Sequence, residues 1–528
     1  MSLALAAPCD QLFVATEVNE WALCATLAQR DPGCSAGFEA ALLAEILEDA
    51  ADPAAVIPPV LEESRALARF ATLAAREAQP PLMALLAAAA ERGLPYVLDE
   101  TLLTLGAGSG GCDFALAQIP ATHAVPWHEL HDVPTAIVTG SNGKTTTVRL
   151  LAACARAHGW PSAFCCTDGV FFEGTAELSG DYSGPEGARR VIRERRAHAA
   201  IIETARGGIL RRGLAISQAR VAVVTNISAD HFGEYGIDDL SGLADVKLAL
   251  AGVVRPDGLL VLNAEDAQLA AKAPHLAQRF VRCPPLGWFA LDADHPSLRA
   301  HRVYGGATCG VRDGRLTLHQ GAREHDLGAV AAMPLTVEGS ASYNIANLAA
   351  AALAGGALGI SAPVMAAVFA RFGAQAADNL GRMMRFERGG VRILVDYAHN
   401  PDGMQGLLRV ANYLRRPGGR LGTVLGQAGN RQDSEIEALA RAVAHFHPDL
   451  VVVKEDETYL RGRPLGEIPR LIHAALRSAG LPEEALPMRP SELEAVHCAL
   501  DWARPGDVLA LPVHAPATRA AVLALLGG

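Results

Sequence analysis

The sequence predicts an α/β protein with two parallel-sheet domains and a smaller domain in front of them. Short β-branched runs alternate with helical patterns in two separate series, and this alternation is typical of βαβ units. A Gly-rich loop that leads into a helix follows the first run, and such loops bind phosphate groups. A chain of 528 residues is also too long for a single core. Because parallel sheets bind ligands at the carboxyl ends of their strands, we expect the site there.

The composition is that of an ordinary globular protein, with 50% hydrophobic and 20% charged residues. A formal net charge of −11 argues against a main role in binding nucleic acid. The 10 cysteines lack the paired spacing of a metal site and indicate a reducing compartment. No signal peptide is recognisable, and residues 345–360, the longest apolar run, are too short and too interrupted for a membrane span. We therefore expect a cytoplasmic protein that binds neither nucleic acid nor membrane.

Three domains are predicted, at residues 1–130, 131–385 and 386–528. The first is rich in Ala and Leu, and its fold stays open. A glycine-rich segment at 105–111 is expected to be a turn, because no strong helix start follows it. Residues 382–390 have the polar and Gly-rich character of a linker.

The hydrophobic patterns give the individual elements. Helices are expected at 38–49, 60–76, 81–92, 243–250, 343–358, 401–415 and 435–445. Strands of the central domain are expected at 135–139, 163–166, 199–203, 221–226, 258–263, 307–311 and 315–319. Strands of the C-terminal, Rossmann-like domain are expected at 392–396, 421–426, 450–454 and 507–513.

The predicted nucleotide-binding loop begins at Gly140. This glycine and Gly143 allow backbone amides to approach phosphates, Lys144 adds a positive charge, and Thr145 adds a hydroxyl that can bind Mg²⁺. The spacing is shorter than that of a full Walker A loop, because Val138 stands where the first glycine would be. A Gly-Lys-Thr triplet alone is a modest signal, and a glycine turn with a solvated lysine is the alternative.

Other residues that can carry chemistry follow later strands. Glu203 ends a buried strand, where an ionised carboxylate is costly unless it is paired or binds a metal such as Mg²⁺. A salt bridge to Arg206 is the alternative. His231 and Lys247, each taken alone, are more typical of a satisfied hydrogen-bonding group and a solvated lysine.

Together these segments resemble the Mur ligase family, the ATP-dependent amide ligases of peptidoglycan assembly and their relatives. Residues 140–145 are similar to the short ATP loop of the family, and residues 226–247, which include Asp230-His231, Gly236 and Lys247, are similar to its second motif. Residues 342–347 resemble its Asn-x-x-Asn helix, Gly381-Arg382 its phosphate-contacting arginine, and residues 396–402 the opening of its C-terminal domain. The ordered occurrence of these motifs is highly specific.

Within the family, the chain most resembles the Mur-like C-terminal module of cyanophycin synthetases, over residues 130–515. The similarity is carried by residues 167–169, 180–185, 203–210, 429–433, 454–456 and 461–463. In those synthetases an ATP-grasp ligase precedes the module, whereas residues 1–130 are too few for such a domain. The resemblance implies a homo-oligomer without the ATP-grasp half, and a partner ligase that supplies that half is a further expectation.

The resemblance implies an ATP-dependent ligase that joins a carboxylate to an amine through an acyl phosphate and releases ADP and phosphate. The amine would be an amino acid or a related compound, and the acyl substrate a peptide or a small carboxylic acid. ATP with two Mg²⁺ ions is implied, with Thr145 and Glu203 on one ion and His231 on the other. Lys247 is either carbamylated or unmodified. The residues implied at the nucleotide are Gly140, Asn142, Gly143, Lys144, Thr145, Thr146, Asn344, Arg382, Asp396 and His399.

The residues implied in catalysis are Lys144, Glu203, Arg206, His231 and Lys247. Because Asp396 and His399 come from the C-terminal domain, we expect the domains to close around ATP, with Gly389-Gly390 as the hinge. Arg206 is expected near the acyl substrate, since a guanidinium binds a carboxylate bidentately, and Thr167, Asp168 and Ser183 are expected beside it. Arg211 and Arg212 are expected to be a solvated or structural pair.

Other functions stay open at this point. A folylpolyglutamate-synthetase-like or peptidoglycan-type ligase is the alternative within the enzyme class. A nucleotide-binding subunit that depends on a partner ligase is the alternative from another class. A P-loop ATPase or kinase that does not ligate is a third, although the loop lacks the Walker spacing.

Overall fold

The computed structural model describes residues 7–30, 62–229, 232–280, 283–455 and 459–527. The chain separates into two compact units. The smaller unit comprises residues 1–94, 99–103 and 113–127, and the larger unit comprises residues 95–98, 104–112 and 128–528. None of the helices in the described ranges combines the length and the apolar character that a membrane crossing needs.

The smaller unit contains the helices α1 (Leu12–Arg30), α2 (Glu63–Glu77) and α3 (Pro80–Glu91). Val14 of α1 packs with Phe70 and Leu73 of α2, and the Arg69 guanidinium forms a buried ion pair with Glu17. The predicted helices at 60–76 and 81–92 correspond to α2 and α3. The predicted helix at 38–49 lies outside the described residues.

The strands β1 (Tyr96–Leu98), β2 (Leu102–Leu105) and β3 (Cys112–Ala115) form a small sheet. The glycine-rich segment between β2 and β3 is a turn, as predicted, with a 3₁₀ turn at Gly108–Gly110. Ala107 N donates to His131 O at 3.1 Å, and Ser109 N donates to Ala197 O at 2.8 Å. These amides are therefore engaged within the fold rather than turned towards a phosphate.

The central sheet consists of the strands β4 (Thr135–Thr139), β5 (Ser162–Cys166), β6 (Gly169–Phe172), β7 (Thr175–Ser179), β8 (Ala199–Glu203), β9 (Ala219–Val224), β10 (Val254–Asn263), β11 (Leu286–Asp292), β12 (Ala307–Arg312), β13 (Arg315–Gln320) and β14 (Arg323–Ala329). Their order across the sheet is β14-β13-β12-β11-β10-β9-β4-β8-β5-β6-β7. Neighbours from β12 to β5 pair in parallel, and antiparallel hairpins flank them. The prediction of a mostly parallel central sheet is confirmed.

The helices of this domain are α4 (Lys144–Ala157), α5 (Pro185–Arg193), α6 (Arg206–Arg212), α7 (Leu240–Leu248), α8 (Ala267–Lys272), α9 (Leu276–Arg279), α10 (Pro296–Val303), α11 (Ser342–Leu358) and α12 (Ala362–Phe369). Both faces of the sheet are covered, which explains why its strands are apolar on both sides. Val138 of β4 belongs to a core with Leu151 of α4 and Leu348 of α11, whereas its neighbour Ile137 belongs to a core with Leu243 of α7. This packing fixes the carboxyl edge of β4, where the loop begins.

The C-terminal sheet consists of β15 (Met384–Arg388), β16 (Val391–Asp396), β17 (Leu421–Leu425), β18 (Leu450–Lys454), β19 (Met488–Arg489) and β20 (Val508–Pro512). Its strand order is β15-β16-β20-β17-β18-β19, and every pair after the first is parallel. The helices around it are α13 (Pro401–Leu414), α14 (Asp433–Ala444), α15 (Glu467–Ser478), α16 (Glu492–Trp502) and α17 (Pro516–Leu526). This arrangement confirms the predicted Rossmann-like domain.

Residues 382–390 are not the predicted linker. β15 occupies most of this segment and pairs with β16, where Arg388 lies opposite Val391. Gly389 and Gly390 form the two-residue turn of this hairpin, with φ of 55° and 77°, the left-handed values that such turns require. The prediction of a hinge at these glycines is therefore wrong, and the predicted boundary at 385/386 falls inside β15. Residues 379–383, which precede the hairpin, connect the two sheets instead.

Candidate active site

The loop that follows β4 accepts only glycine at two positions. Gly140 has φ of +149°, and Gly143 has φ of +84°. A Cβ at Gly140 would lie 1.8 Å from Thr225 Oγ1, and a Cβ at Gly143 would lie 2.2 Å from Asn347 Oδ1. The short loop is therefore fixed by the close approach of β9 and α11 as well as by its backbone conformation.

Hydrogen bonds to the end of β9 hold the loop in place. Asn142 N donates to Asn226 Oδ1 at 2.9 Å, and Thr225 Oγ1 donates to Asn142 O at 2.5 Å. Lys144 Nζ donates to Gly140 O at 3.0 Å and to Ser141 O at 3.1 Å. The ammonium group thus lies over the concave side of the loop.

Glu203 ends β8 directly beside the loop and is fully buried. Its carboxylate accepts hydrogen bonds from Thr145 Oγ1 at 2.8 Å and from Thr167 Oγ1 at 2.9 Å. Arg206, the partner that the alternative interpretation required, instead donates to Glu234 at 2.5 Å. A buried carboxylate between two hydroxyls is costly unless a cation compensates its charge.

These oxygen donors fit a divalent metal that is bound together with phosphates. Mg²⁺ prefers hard oxygen ligands and is commonly held by one or two carboxylates plus substrate phosphates, so the hydroxyl of Thr145 and the carboxylate of Glu203 suit it. Within the described residues, no group of three or more His, Cys, Asp and Glu side chains is arranged to hold a metal by itself. His231, the predicted ligand of a second ion, lies outside the described residues.

A cavity of about 320 Å³ lies over the loop, between the central and C-terminal domains. Predicted nucleotide residues that line it are Asn142, Gly143, Lys144, Thr145, Thr146, Asn344, Arg382, Asp396 and His399. Gly140 lines the neighbouring cavity instead. The structure thus brings together residues from distant parts of the sequence, as the resemblance implied.

Asn344 does not contact the loop directly but holds Asn347, which does. Its amide donates to Leu335 O at 3.0 Å, and its Oδ1 accepts from Asn347 Nδ2 at 3.1 Å. Asn347 in turn lies against Gly143. The helix therefore presents Asn347, which the sequence had not singled out as a site residue, and Asn344 orients it.

Arg382 and Asp396 meet at the domain junction. The Arg382 guanidinium lies 4.1 Å from the centre of the Tyr397 ring. Asp396 Oδ2 accepts from Met383 N at 2.6 Å. Burial raises the pKa of Asp396, and the positive charge of Arg382 opposes that rise. The two charged groups therefore lie together where residues 379–383, the crossover segment between the two sheets, meet the smaller cavity.

A second cavity, of about 790 Å³, adjoins the first. Its lining is rich in cations, namely Lys144, Arg206, Arg211, Arg212, Lys247, Arg431, Lys454 and Arg461, together with the acids Asp181, Glu186 and Glu234. Lys247 is buried on α7 in this wall. Arg211 and Arg212 are exposed at the cavity wall, and Arg211 contacts the Tyr235 hydroxyl.

The two cavities share the lining residues Lys144, Thr167, Tyr397 and His399. His399 Nδ1 lies 3.1 Å from Tyr397 O, and the rings of both residues contact His514 edge to face. Burial and the positive charge of Lys454 lower the pKa of His514 well below its usual value, so this ring is neutral at pH 7. The junction of the two cavities therefore carries three packed aromatic rings and is lined by the loop lysine as well.

The residues predicted beside Arg206 separate into two groups. Thr167 and Ser183 line the larger cavity, and Ser183 Oγ donates to Asp181 at 2.6 Å. Asp168 instead accepts from Arg149 at 3.0 Å and from Arg519 at 2.7 Å, and all three side chains are buried. Asp168 is not among the lining residues of either cavity, and its place beside the acyl substrate stays a prediction.

Asn400 is a site residue that the sequence had not singled out. Its Nδ2 donates to Asn142 Oδ1 at 2.9 Å, which links the loop directly to the C-terminal domain. Its Oδ1 accepts from Gly403 N at 2.9 Å and caps α13. An Asn before Pro at a helix start was the available signal, but it predicts a cap and not a contact across domains.

Comparisons with protein families agree with this architecture. Residues 138–355 match the model of the Mur ligase middle domain, and residues 381–511 match that of the Mur ligase glutamate ligase domain. With the fold and the loop described above, these matches place the chain in the Mur ligase family.

Particular relatives refine this class. A cyanophycin synthetase of Trichormus variabilis is 35% identical over 398 residues, which cover 75% of this chain and 43% of the relative. The chain thus spans less than half the length of that synthetase. A UDP-N-acetylmuramoyl-L-alanyl-D-glutamate–2,6-diaminopimelate ligase of Chlorobium phaeobacteroides is 27% identical over 383 residues, covering 70% of this chain and 69% of the relative.

Solved structures share the fold at lower identity. A bifunctional folylpolyglutamate synthase/dihydrofolate synthase with Mn, AMPPNP and L-glutamate bound superposes with a TM-score of 0.53 and 19% identity. The match covers 75% of this chain and 90% of that structure. At this identity the likeness shows the fold alone.

Proposed function

We propose that the chain activates a carboxylate in the larger cavity with ATP bound in the smaller one, and then joins it to an amine. A carboxylate oxygen attacks the γ-phosphorus, and ADP leaves. The amine nitrogen then attacks the carbonyl carbon of the acyl phosphate, phosphate leaves, and the amine loses a proton. The observation that carries this proposal is that the two cavities meet at Lys144, Thr167, Tyr397 and His399.

The nucleotide is proposed to bind with its phosphates over the loop and its base towards β11. Phe289 and Leu291 of β11 supply apolar surface at that end of the smaller cavity. Lys144, which now donates to loop carbonyls, would turn to the β- and γ-phosphates. Phosphoryl transfer depends mainly on such positioning and on neutralisation of charge.

We propose that Thr145 and Glu203 hold the divalent metal that accompanies ATP, where it would neutralise phosphate charge. His231 as ligand of a second ion and carbamylation of Lys247 stay predictions. Mass spectrometry of the intact protein, with and without acid treatment that releases carbon dioxide, tests the carbamylation.

The acyl substrate is proposed to carry several carboxylates, as a peptide or small polyacid does. Cations outnumber acids in the wall of the larger cavity, although the whole chain has a formal net charge of −11. Arg206 and Lys247 are buried in that wall, and partly buried cations attract anions more strongly than solvated ones.

The test is release of ADP and phosphate by the purified chain with pairs of carboxylates and amines, with mass spectrometry of the products. We expect release that needs both substrates and that Lys144→Ala and Glu203→Gln abolish. Lys272→Ala is the matched control, because Lys272 pairs with Asp245 away from both cavities. Release that no amine affects would point to a kinase or ATPase and contradict the proposal.

A nucleotide-binding subunit that depends on a partner ligase stays the alternative from another class. A partner ligase with ATP-grasp activity and a homo-oligomer stay predictions. If ligation by the chain appears only after an ATP-grasp ligase is added, this alternative is correct.

A further inference from the structure

We propose that Asp168 is a positioning residue, which locks the C-terminal domain onto the loop helix through Arg149 and Arg519 and thereby places Arg382 at the nucleotide. This inference rests on the proposed function of the smaller cavity. Asp168 follows β5 in the central domain, Arg149 lies on α4, and Arg519 lies on α17 of the C-terminal domain. The ion triad therefore bridges the domains.

The three side chains of the triad are buried, and they lie within hydrogen-bonding distance. Asp168 Oδ2 accepts from Arg149 Nη2 at 3.0 Å, and Asp168 Oδ1 accepts from Arg519 Nη2 at 2.7 Å. The side chains are between 6% and 9% exposed. Burial alone would raise the pKa of Asp168, but the charges of Arg382, Arg149 and Arg519 lower it below its usual value. Asp168 therefore stays ionised.

Two residues of α4 also bind the crossover segment, residues 379–383, that connects the domains. Arg149 Nη1 donates to Leu380 O at 2.9 Å, and Asn379 Nδ2 donates to Thr146 Oγ1 at 3.2 Å. Arg149 and Thr146 both lie on α4, the helix that opens with the loop lysine. The crossover segment is thus tied to the loop helix at two points.

Gly381 of the crossover segment lies against the side chain of Arg519. It has φ of +73°, and a Cβ there would lie 2.5 Å from Arg519 Nη1. Arg519 therefore packs directly on the backbone that precedes Arg382. Because Arg382 lines the nucleotide cavity, movement of Arg519 away from Asp168 would move Arg382 away from the phosphates.

The variants Asp168→Asn and Arg519→Met test the lock. Asp168→Asn keeps the shape of the side chain and removes its charge. Either change should favour an open arrangement, in which the C-terminal domain is released from α4. Apparent affinity falls in proportion to the competent fraction, so a shift to nine-tenths open weakens binding of Mg·ATP about tenfold. Titration calorimetry measures this affinity, and X-ray scattering measures the radius of gyration, which we expect to rise.

Two features separate positioning from general stability. The double variant should weaken Mg·ATP binding no more than the stronger single variant, because both changes break one link. Gly381→Ala, which leaves every charge in place, should have the same direction of effect, since its methyl group displaces Arg519. If Arg519→Met does not fold, Arg519→Lys and Gly381→Ala carry the test.

Tyr413→Phe is the matched control. The Tyr413 hydroxyl also bridges the domains, donating to Glu338 at 3.0 Å, but at an exposed position. We expect it to leave Mg·ATP affinity and scattering unchanged. Normal affinity and normal scattering in folded Asp168→Asn protein, even with a lower melting temperature, would overturn the proposal. Because neither measurement needs turnover, failure to find ligase substrates would leave this test intact.

Discussion

The contact between Asn400 and Asn142 gives the sharpest prediction, because two substitutions separate its two roles. Asn400→Asp keeps an oxygen that caps α13, but it cannot donate to Asn142 Oδ1. Asn400→Ala removes both interactions. The cap is worth about 1 kcal/mol, and a single neutral hydrogen bond is worth about 0.5 to 1.5 kcal/mol.

We therefore expect Asn400→Asp to unfold with nearly the wild-type free energy, since a carboxylate at a helix N-terminus is favourable. Its Kd for Mg·ATP should rise about 2- to 10-fold. This factor is the free energy of the lost Asn400–Asn142 hydrogen bond converted into a change of affinity. Asn400→Ala should show the same loss of affinity and, in addition, about 1 kcal/mol less stability. Urea unfolding and titration calorimetry measure the two quantities.

The opposite pattern would refute this reasoning. If Asn400→Asp binds Mg·ATP as the wild type does while Asn400→Ala binds weakly, the helix cap matters and the bond to Asn142 does not. Asn142→Ala serves as the reciprocal variant, since it removes the acceptor and leaves the cap intact. Its loss of affinity should not add to that of Asn400→Asp.

Further predictions concern the loop and a buried acid. Gly143→Ala places a Cβ 2.2 Å from Asn347 Oδ1 at φ of +84°, so we expect loss of nucleotide binding by calorimetry while the fold, measured by circular dichroism, persists. Burial raises the pKa of Asp132 from 3.8 to about 6, against the opposing charge of Arg255. The folded state then binds the proton more tightly, so this group costs stability as pH rises through that interval, by up to about 3 kcal/mol. Asp132→Asn should flatten this loss in urea unfolding between pH 4 and pH 7, and an unchanged pH profile would contradict it.

Most of the fold could be predicted because hydrophobic period and turn residues are local signals. The strands 135–139, 199–203 and 450–454 match β4, β8 and β18 at both ends. The long helix α11 ends, as predicted, where Gly359 takes φ of 103°. The error at Gly389-Gly390 has a physical reason, since paired glycines suit both a flexible linker and a tight hairpin turn, and only the pairing partner distinguishes them.

The site was predictable where a side chain's chemistry is unusual for its place in the sequence. Glu203 at a buried strand end and Lys144 directly after Gly143 are such cases: Glu203 accepts from Thr145 of the loop, and Lys144 donates to Gly140 O. The ion pairs of Asp168 could not be predicted, because a carboxylate after a strand suits an arginine as well as a substrate. Its partners Arg149 and Arg519 lie far from it along the chain and meet it only in the fold.

The sequence by itself identified the Mur ligase family, because the short phosphate loop and the order of the later motifs can be recognised along the chain. Tertiary structure decided which groups meet. It joined Asn400 to the loop, placed Asn347 rather than Asn344 against Gly143, and turned Asp168 into a bridge between domains. These contacts depend on how the C-terminal domain packs on the central domain. Local sequence patterns do not show this packing, because the residues that meet are far apart along the chain.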